Sequence, residues 1–143
     1  MHTLRLILST FLVAILSTSC AVDRATAYAE PTFHWSTIKS IHIVKYEDES
    51  GGTRERIAQK LKAYGFKVTI DPDPNPGADA LLLYQDEWRW DFTWFLLQLD
   101  VTIRDPKTNF PYASANALHG STSRKTDQEM VDEVIDNLMK LRK

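Results

Sequence analysis

A single cysteine, Cys20, is all the thiol in this 143-residue chain, so no internal disulfide can form. Histidine is nearly as scarce. His2, His34, His42 and His119 show no H-x-x-x-H spacing, and no second cysteine exists to complete a zinc set. No metal site is expected, and no cofactor pattern is present. Gly51-Gly52 precedes a helical stretch without the rest of a G-x-G-x-x-G or P-loop pattern. Ser121-Thr122-Ser123 lies near His119 without a G-x-S-x-G elbow. Asp71, Asp73 and Asn75 alternate as calcium ligands can, but prolines separate them and the bidentate glutamate is missing. Basic charge is also in short supply. Lys and Arg number 17 against 19 acidic residues, net −2, with no basic stripe interleaved with aromatics. Nucleic acid is therefore excluded as a partner, as is a polybasic patch for anionic lipid. No catalytic residue can be named, and the chain is not read as an enzyme.

The apolar run at the amino terminus extends only from about Leu6 to Leu16, too short for a permanent membrane span. Arg5 lies before it and small residues follow it, which is the layout of a secretory signal over residues 1–19. Ser17-Thr18-Ser19-Cys20 then resembles the lipobox of bacterial lipoproteins, in which the thiol receives a diacylglycerol and becomes the first mature residue. The family prefers Leu three residues before the cysteine. Here Ser17 holds that place and Leu16 lies one residue earlier. The resemblance makes Cys20 the lipidation site. Ala21, rather than aspartate, after the cysteine implies sorting to the outer membrane, facing the periplasm. The alternative is an ordinary signal peptide cut after Ala27 or Ala29, each closing an A-x-A triplet, which would give a soluble periplasmic protein.

Removing the leader takes only Arg5 from the basic count, so the remaining 124 residues carry 16 basic and 19 acidic groups, net −3. That length suits one domain. Residues 20–39 lack a clear period and contain Pro31. They are read as a lipidated tether, ending in an extended segment at Phe33–Trp35, ahead of a periplasmic domain over 40–143. Within that domain Ser40–Tyr46 alternates as a strand. Thr53 is placed as N-cap of a helix carrying Ile57, Leu61 and Tyr64, with Gly65 at its left-handed end. Phe66–Ile70 alternates, and the prolines of 71–77 impose a loop. Leu81–Leu83 are apolar on both faces, the mark of a central strand. Leu97, Leu99, Val101 and Ile103 alternate with polar partners, and Ala113, Ala115 and Ala117 share one face that admits a close helix. Thr126 with Glu129 forms a capping box before the stripe Met130, Val134, Leu138 and Leu141. The expected fold is α+β, in the order β-α-β-β-β-β-α. A single, mostly antiparallel sheet of about five strands carries two helices on one face.

The lipobox cysteine, a helix ending in a "GF.V" turn, the "ADALLLYQ" strand, the "WRWDF..F" segment and the "ASANA" strand together resemble a group of small Gram-negative lipoproteins defined by a domain of unknown function. The likeness extends more loosely to auxiliary lipoproteins of envelope transport systems and to the amino-terminal domain of TolB. It implies an envelope role and supplies no catalytic residues.

The richest stretch is YQDEWRWDFTWF, Tyr84–Phe95, with Trp88, Trp90 and Trp94 among carboxylates. On one strand Tyr84, Asp86, Trp88 and Trp90 share a face, and Asp91 sits where the chain reverses. Structurally, the aromatics fill the core, and Asp91 accepts hydrogen bonds from the backbone N–H groups of Thr93 and Trp94. Functionally, Trp88, Trp90, Asp91 and Trp94 form a binding surface. Two roles follow. The leading one is a non-catalytic envelope lipoprotein, held to the membrane by its N-terminal lipid and acting through contact with another envelope protein. The alternative is a carbohydrate or cell-wall binding module that stacks sugars on exposed tryptophans. A small hydrolase built around His119 is a third, weaker reading. Composition leaves the oligomeric state open.

Overall fold

The computed structural model describes residues 23–44, 51–71 and 77–142. The signal segment, Cys20 and the centre of the proline-rich loop at 72–76 lie outside them. The described elements are β1 (Arg24–Ala29), a short 3-10 turn (Trp35–Thr37), β2 (Ser40–Val44), α1 (Thr53–Ala63), β3 (Lys67–Asp71), β4 (Ala80–Asp91), β5 (Thr93–Arg104), β6 (Pro111–Leu118) and α2 (Asp127–Met139). One mixed sheet runs β1-β6-β5-β4-β2-β3, with two helices packed against it. β2 is parallel to β3 and to β4, whereas the β1–β6, β6–β5 and β5–β4 pairings are antiparallel. The α+β architecture agrees with the expectation from the alternating segments.

Three local readings are corrected. First, the stretch taken as tether supplies a sixth strand. β1 pairs along its whole length with β6, and Trp35 and Ile38 behind it are buried. No residue of this edge strand is fully buried, so it carries no strong apolar alternation for a sequence reading to detect. The expected extended segment ends instead in the turn at Trp35–Thr37. Second, Thr53 is the first helical residue, and Gly52 occupies the N-cap with left-handed φ 69°. Third, β5 contains a bulge. Glu87 faces Gln98 but Trp88 faces Leu96, leaving Leu97 as the extra residue. Leu96 therefore enters the core fully buried while Leu97 is only half-buried.

Burial explains the rest. Ile41 and Ile43 of β2, Leu82 of β4, and Leu99, Val101 and Ile103 of β5 line the covered face. Ile57 and Leu61 of α1 and Met130, Val134 and Leu138 of α2 close over it. Ala113, Ala115 and Ala117 let α2 approach β6, and the Thr126–Glu129 capping box forms in both directions. Gly65 holds φ 91° just past α1, a conformation that L side chains rarely adopt. Among the described residues no helix is long and apolar enough to cross a membrane.

Candidate functional site: an aromatic hairpin tip at one end of the sheet

The register places Arg24, Leu118, Gln98 and Glu87 level with one another across β1, β6, β5 and β4. Beyond that line β4 and β5 continue alone as a two-stranded ribbon to a turn at Phe92. The sequence candidates divide along this ribbon. Trp88 at its base packs against the core, and its indole Nε1 donates to Asp86 Oδ2 at 2.9 Å. The same carboxylate oxygen accepts from Thr53 Oγ1 at 2.8 Å, which ties the start of α1 to β4. Gly51 lies directly under the Trp88 ring. A Cβ there would sit 2.3 Å from Trp88 Cζ2, so only glycine permits the approach.

Trp90 and Trp94, farther out, are each 63% exposed and face one another as a cross-strand pair. Their rings meet edge to face, centroids 5.7 Å apart and planes at 65°. Phe92 at the apex is 92% exposed and has φ 59°. A phenylalanine in the left-handed region carries a backbone cost that asparagine or glycine would largely avoid. It is also the most exposed large apolar side chain described. Sequence reasoning passed over Phe92; the available signal was an aromatic where turn chemistry asks for glycine, asparagine or aspartate.

Asp91 does not cap the turn as expected, since no bond from the Thr93 or Trp94 N–H to its carboxylate is present among the described residues. Its Oδ2 instead accepts from Arg124 Nη2 at 3.1 Å, and Arg124 Nη1 donates to Thr93 Oγ1 at 2.8 Å. The Arg124 guanidinium also lies 4.5 Å from the centre of the buried Phe95 ring. The segment between β6 and α2 thus braces one side of the ribbon. Arg89 pairs with Glu87 on its own strand at 3.0 Å, and both groups are well exposed.

His119, at the end of β6, is buried, and its Nε2 lies 2.6 Å from Glu133 Oε2 on α2. Its Nδ1 lies 3.5 Å from Asp23 Oδ1. Burial pushes the Glu133 carboxyl up, but bonds from Lys125 and His119 outweigh it and leave the group below its ordinary value. The Ser123 hydroxyl, bonded to Asp23, and the nearby His119 hold the Asp23 carboxyl low. Ser123 is thereby engaged by a carboxylate and not by the imidazole, so the group lacks a base-activated hydroxyl. What it does is pin Asp23 to the sheet end from which the ribbon projects. Among the described residues no cluster of His, Cys, Asp and Glu side chains is arranged to hold a metal ion.

No protein-family model matches the sequence, and no curated protein matches it. Solved structures do. The PelC dodecamer from Paraburkholderia phytofirmans matches with a TM-score of 0.61 at 14% identity, over 82% of this chain and 98% of that one. A point variant of the same dodecamer matches with a TM-score of 0.62 at 16% identity, again over 82% and 98%. This chain has the PelC fold. The match spans nearly all of the PelC chain.

Proposed function

We propose that this chain is a non-catalytic lipoprotein of the Gram-negative envelope, anchored through Cys20 to the outer membrane. It faces the periplasm, works by protein contact, and assembles with copies of itself as the PelC chains do in their dodecamer. The observation that carries the reading is the position of β1. The strand starts at Arg24, four residues after the lipobox cysteine, and pairs fully with β6. Cleavage before Cys20 leaves it whole. Cleavage after Ala27 or Ala29 would remove most or all of it, unpairing β6 and uncovering Ala113 and Ala115. Over β1, β6 and β5 the sheet surface away from the helices carries polar pairs, with Thr26 bonded to Asn116 at 3.0 Å and Gln98 to Asp100 at 2.6 Å. Such a face suits contact with a partner.

The carbohydrate-module alternative draws less support. An edge-to-face tryptophan pair presents no flat platform for a sugar ring, and Asp91 is already occupied by Arg124. Metabolic labelling with a fatty-acid probe tests the anchor. The wild type takes up label and fractionates with membranes, and Cys20→Ser does neither. Equal labelling of the two proteins would end the lipoprotein reading. Native mass measurement of the detergent-extracted protein tests assembly, with a monomer at all concentrations as the contrary result.

A further inference from the structure

We propose that His119 is a proton-operated clasp between the start of β1 and α2. With its imidazole charged it ties Asp23 to Glu133. With the proton gone the tie is cut, and the Asp23 end of the edge strand opens more readily. The clasp needs a chain that keeps Asp23, so it rests on cleavage before Cys20 as proposed above.

Position comes first. Arg24 pairs with Leu118, and His119 follows one residue on, in line with Ala117 on the helix side of the sheet. Its side chain is only 9% exposed, and a carboxylate faces each ring nitrogen. Glu133 Oε2 on α2 lies 2.6 Å from Nε2. Asp23 Oδ1, just ahead of β1, lies 3.5 Å from Nδ1.

The count of protons follows from that geometry. A carboxylate only accepts, and a neutral imidazole owns a single N–H. At 2.6 Å, Nε2 holds the proton and donates it to Glu133. The neutral ring then turns the bare lone pair of Nδ1 toward Asp23, and that buried nitrogen has no hydrogen bond among the described residues. The charged ring donates from both nitrogens and closes onto Asp23 with a charge-assisted bond. Histidine is the side chain whose ordinary titration falls between pH 5 and 8. The carboxyls do not compete for that proton. Asp23 is held low chiefly by the Ser123 hydroxyl. Burial raises Glu133, but bonds from Lys125 and His119 outweigh it and leave that carboxyl low as well.

Neither carboxylate depends on the ring for its only partner. Asp23 also accepts from the Ser123 hydroxyl and the Gly120 N–H, and Lys125 Nζ lies 2.9 Å from Glu133 Oε1. From β5 the contact is backbone alone, the His119 N–H donating to the Leu97 carbonyl at 3.0 Å. Loss of the proton therefore leaves both sides folded and removes the link between them. What loosens is the first rung of β1, a strand with one neighbour and no fully buried residue.

The test uses the full protein purified from membranes in mild detergent. Hydrogen exchange of peptides spanning the start of β1 is read by mass spectrometry from about pH 5 to 8. Each rate is divided by that of the urea-unfolded protein at the same pH, and the ring's protonation is followed by its carbon resonances after histidine labelling. Protection is expected to be high while the ring is charged and to fall several-fold as the pH rises and the ring loses its proton. His119→Gln keeps a donor that does not titrate, and its protection should be flat with pH. Asp23→Asn, at a side chain 43% exposed, should leave the ring titrating with little change in protection. Circular dichroism verifies the fold of both variants. Flat protection in the wild type overturns the proposal, as does a wild-type pH dependence in either variant or a ring that never changes its charge. A mature chain beginning beyond Asp23 by intact mass would overturn it together with the anchor. Protection that tracks the ring in a protein without acyl label would remove the anchor and leave the clasp standing.

Discussion

Gly51→Ala is expected to be among the most damaging single-methyl additions in this protein. Gly51 has φ 91°, where an L side chain costs about 1–2 kcal/mol. The added Cβ would also stand 2.3 Å from Cζ2 and 2.8 Å from Cη2 of Trp88, far inside van der Waals contact. Trp88 cannot simply swing away. Its indole is bonded to Asp86, which in turn holds Thr53 at the first turn of α1. Overpacking of this kind costs about 1–3 kcal/mol, so the total should fall near 2–5 kcal/mol. Urea unfolding followed by circular dichroism measures it, with an unchanged slope against denaturant showing that the native fold persists. The Trp88→Ala background separates the two contributions. There the overlap disappears and Gly51→Ala should cost only the backbone share, about 1–2 kcal/mol. A cost below about 0.5 kcal/mol in the wild type, or the same cost in both backgrounds, would refute the close approach of Trp88 to Gly51.

Leu99 is fully buried on the covered face of β5, and Leu99→Ala should lose about 2–5 kcal/mol in the same unfolding assay. The Asp91–Arg124 pair is part-exposed, so a double-mutant cycle on Asp91→Ala and Arg124→Ala should yield a coupling of about 0.2–1 kcal/mol that shrinks with added salt. A coupling of zero at low salt would remove the brace assigned to Arg124. At the β5–β6 turn the Tyr112 hydroxyl, with the Thr108 and Lys107 N–H groups, holds the Asp105 carboxyl down at about 2, while the Tyr112 phenol rises to about 12. A depressed carboxyl stabilises the fold above its ordinary value near 4 and loses that contribution as pH falls toward about 2. A raised phenol contributes fully below its ordinary value near 10 and loses its share as pH rises toward about 12. Tyr112→Phe should therefore flatten the stability profile in both windows, and an unaltered acid limb would contradict the pairing.

Much of the architecture follows from local periodicity. The alternation of Leu99, Val101 and Ile103, the alanine face of β6, the Thr126–Glu129 box and the left-handed Gly65 each depend on neighbours within a few residues. They were legible for that reason.

What depended on distant partners was not legible. β1 is a strand because β6, some ninety residues later, offers it an edge; Thr26, for example, bonds to Asn116. Asp91 answers to Arg124 and not to its own turn, because a charged donor 33 residues on reaches it across the fold. The tryptophans look alike in sequence, yet Trp88 packs inward while Trp90 and Trp94 stand in the open. That difference comes from the length of the ribbon. β4 and β5 outrun the rest of the sheet, and the residues past the last shared rung have no layer to cover them. The bulge at Leu97 adds a further tertiary choice, setting Leu96 inward and Trp94 opposite Trp90. Sequence determined that aromatics cluster here. Only the pairing of the whole sheet decided which of them face the outside, because burial is a property of the layers that meet and not of the strand that carries the side chain.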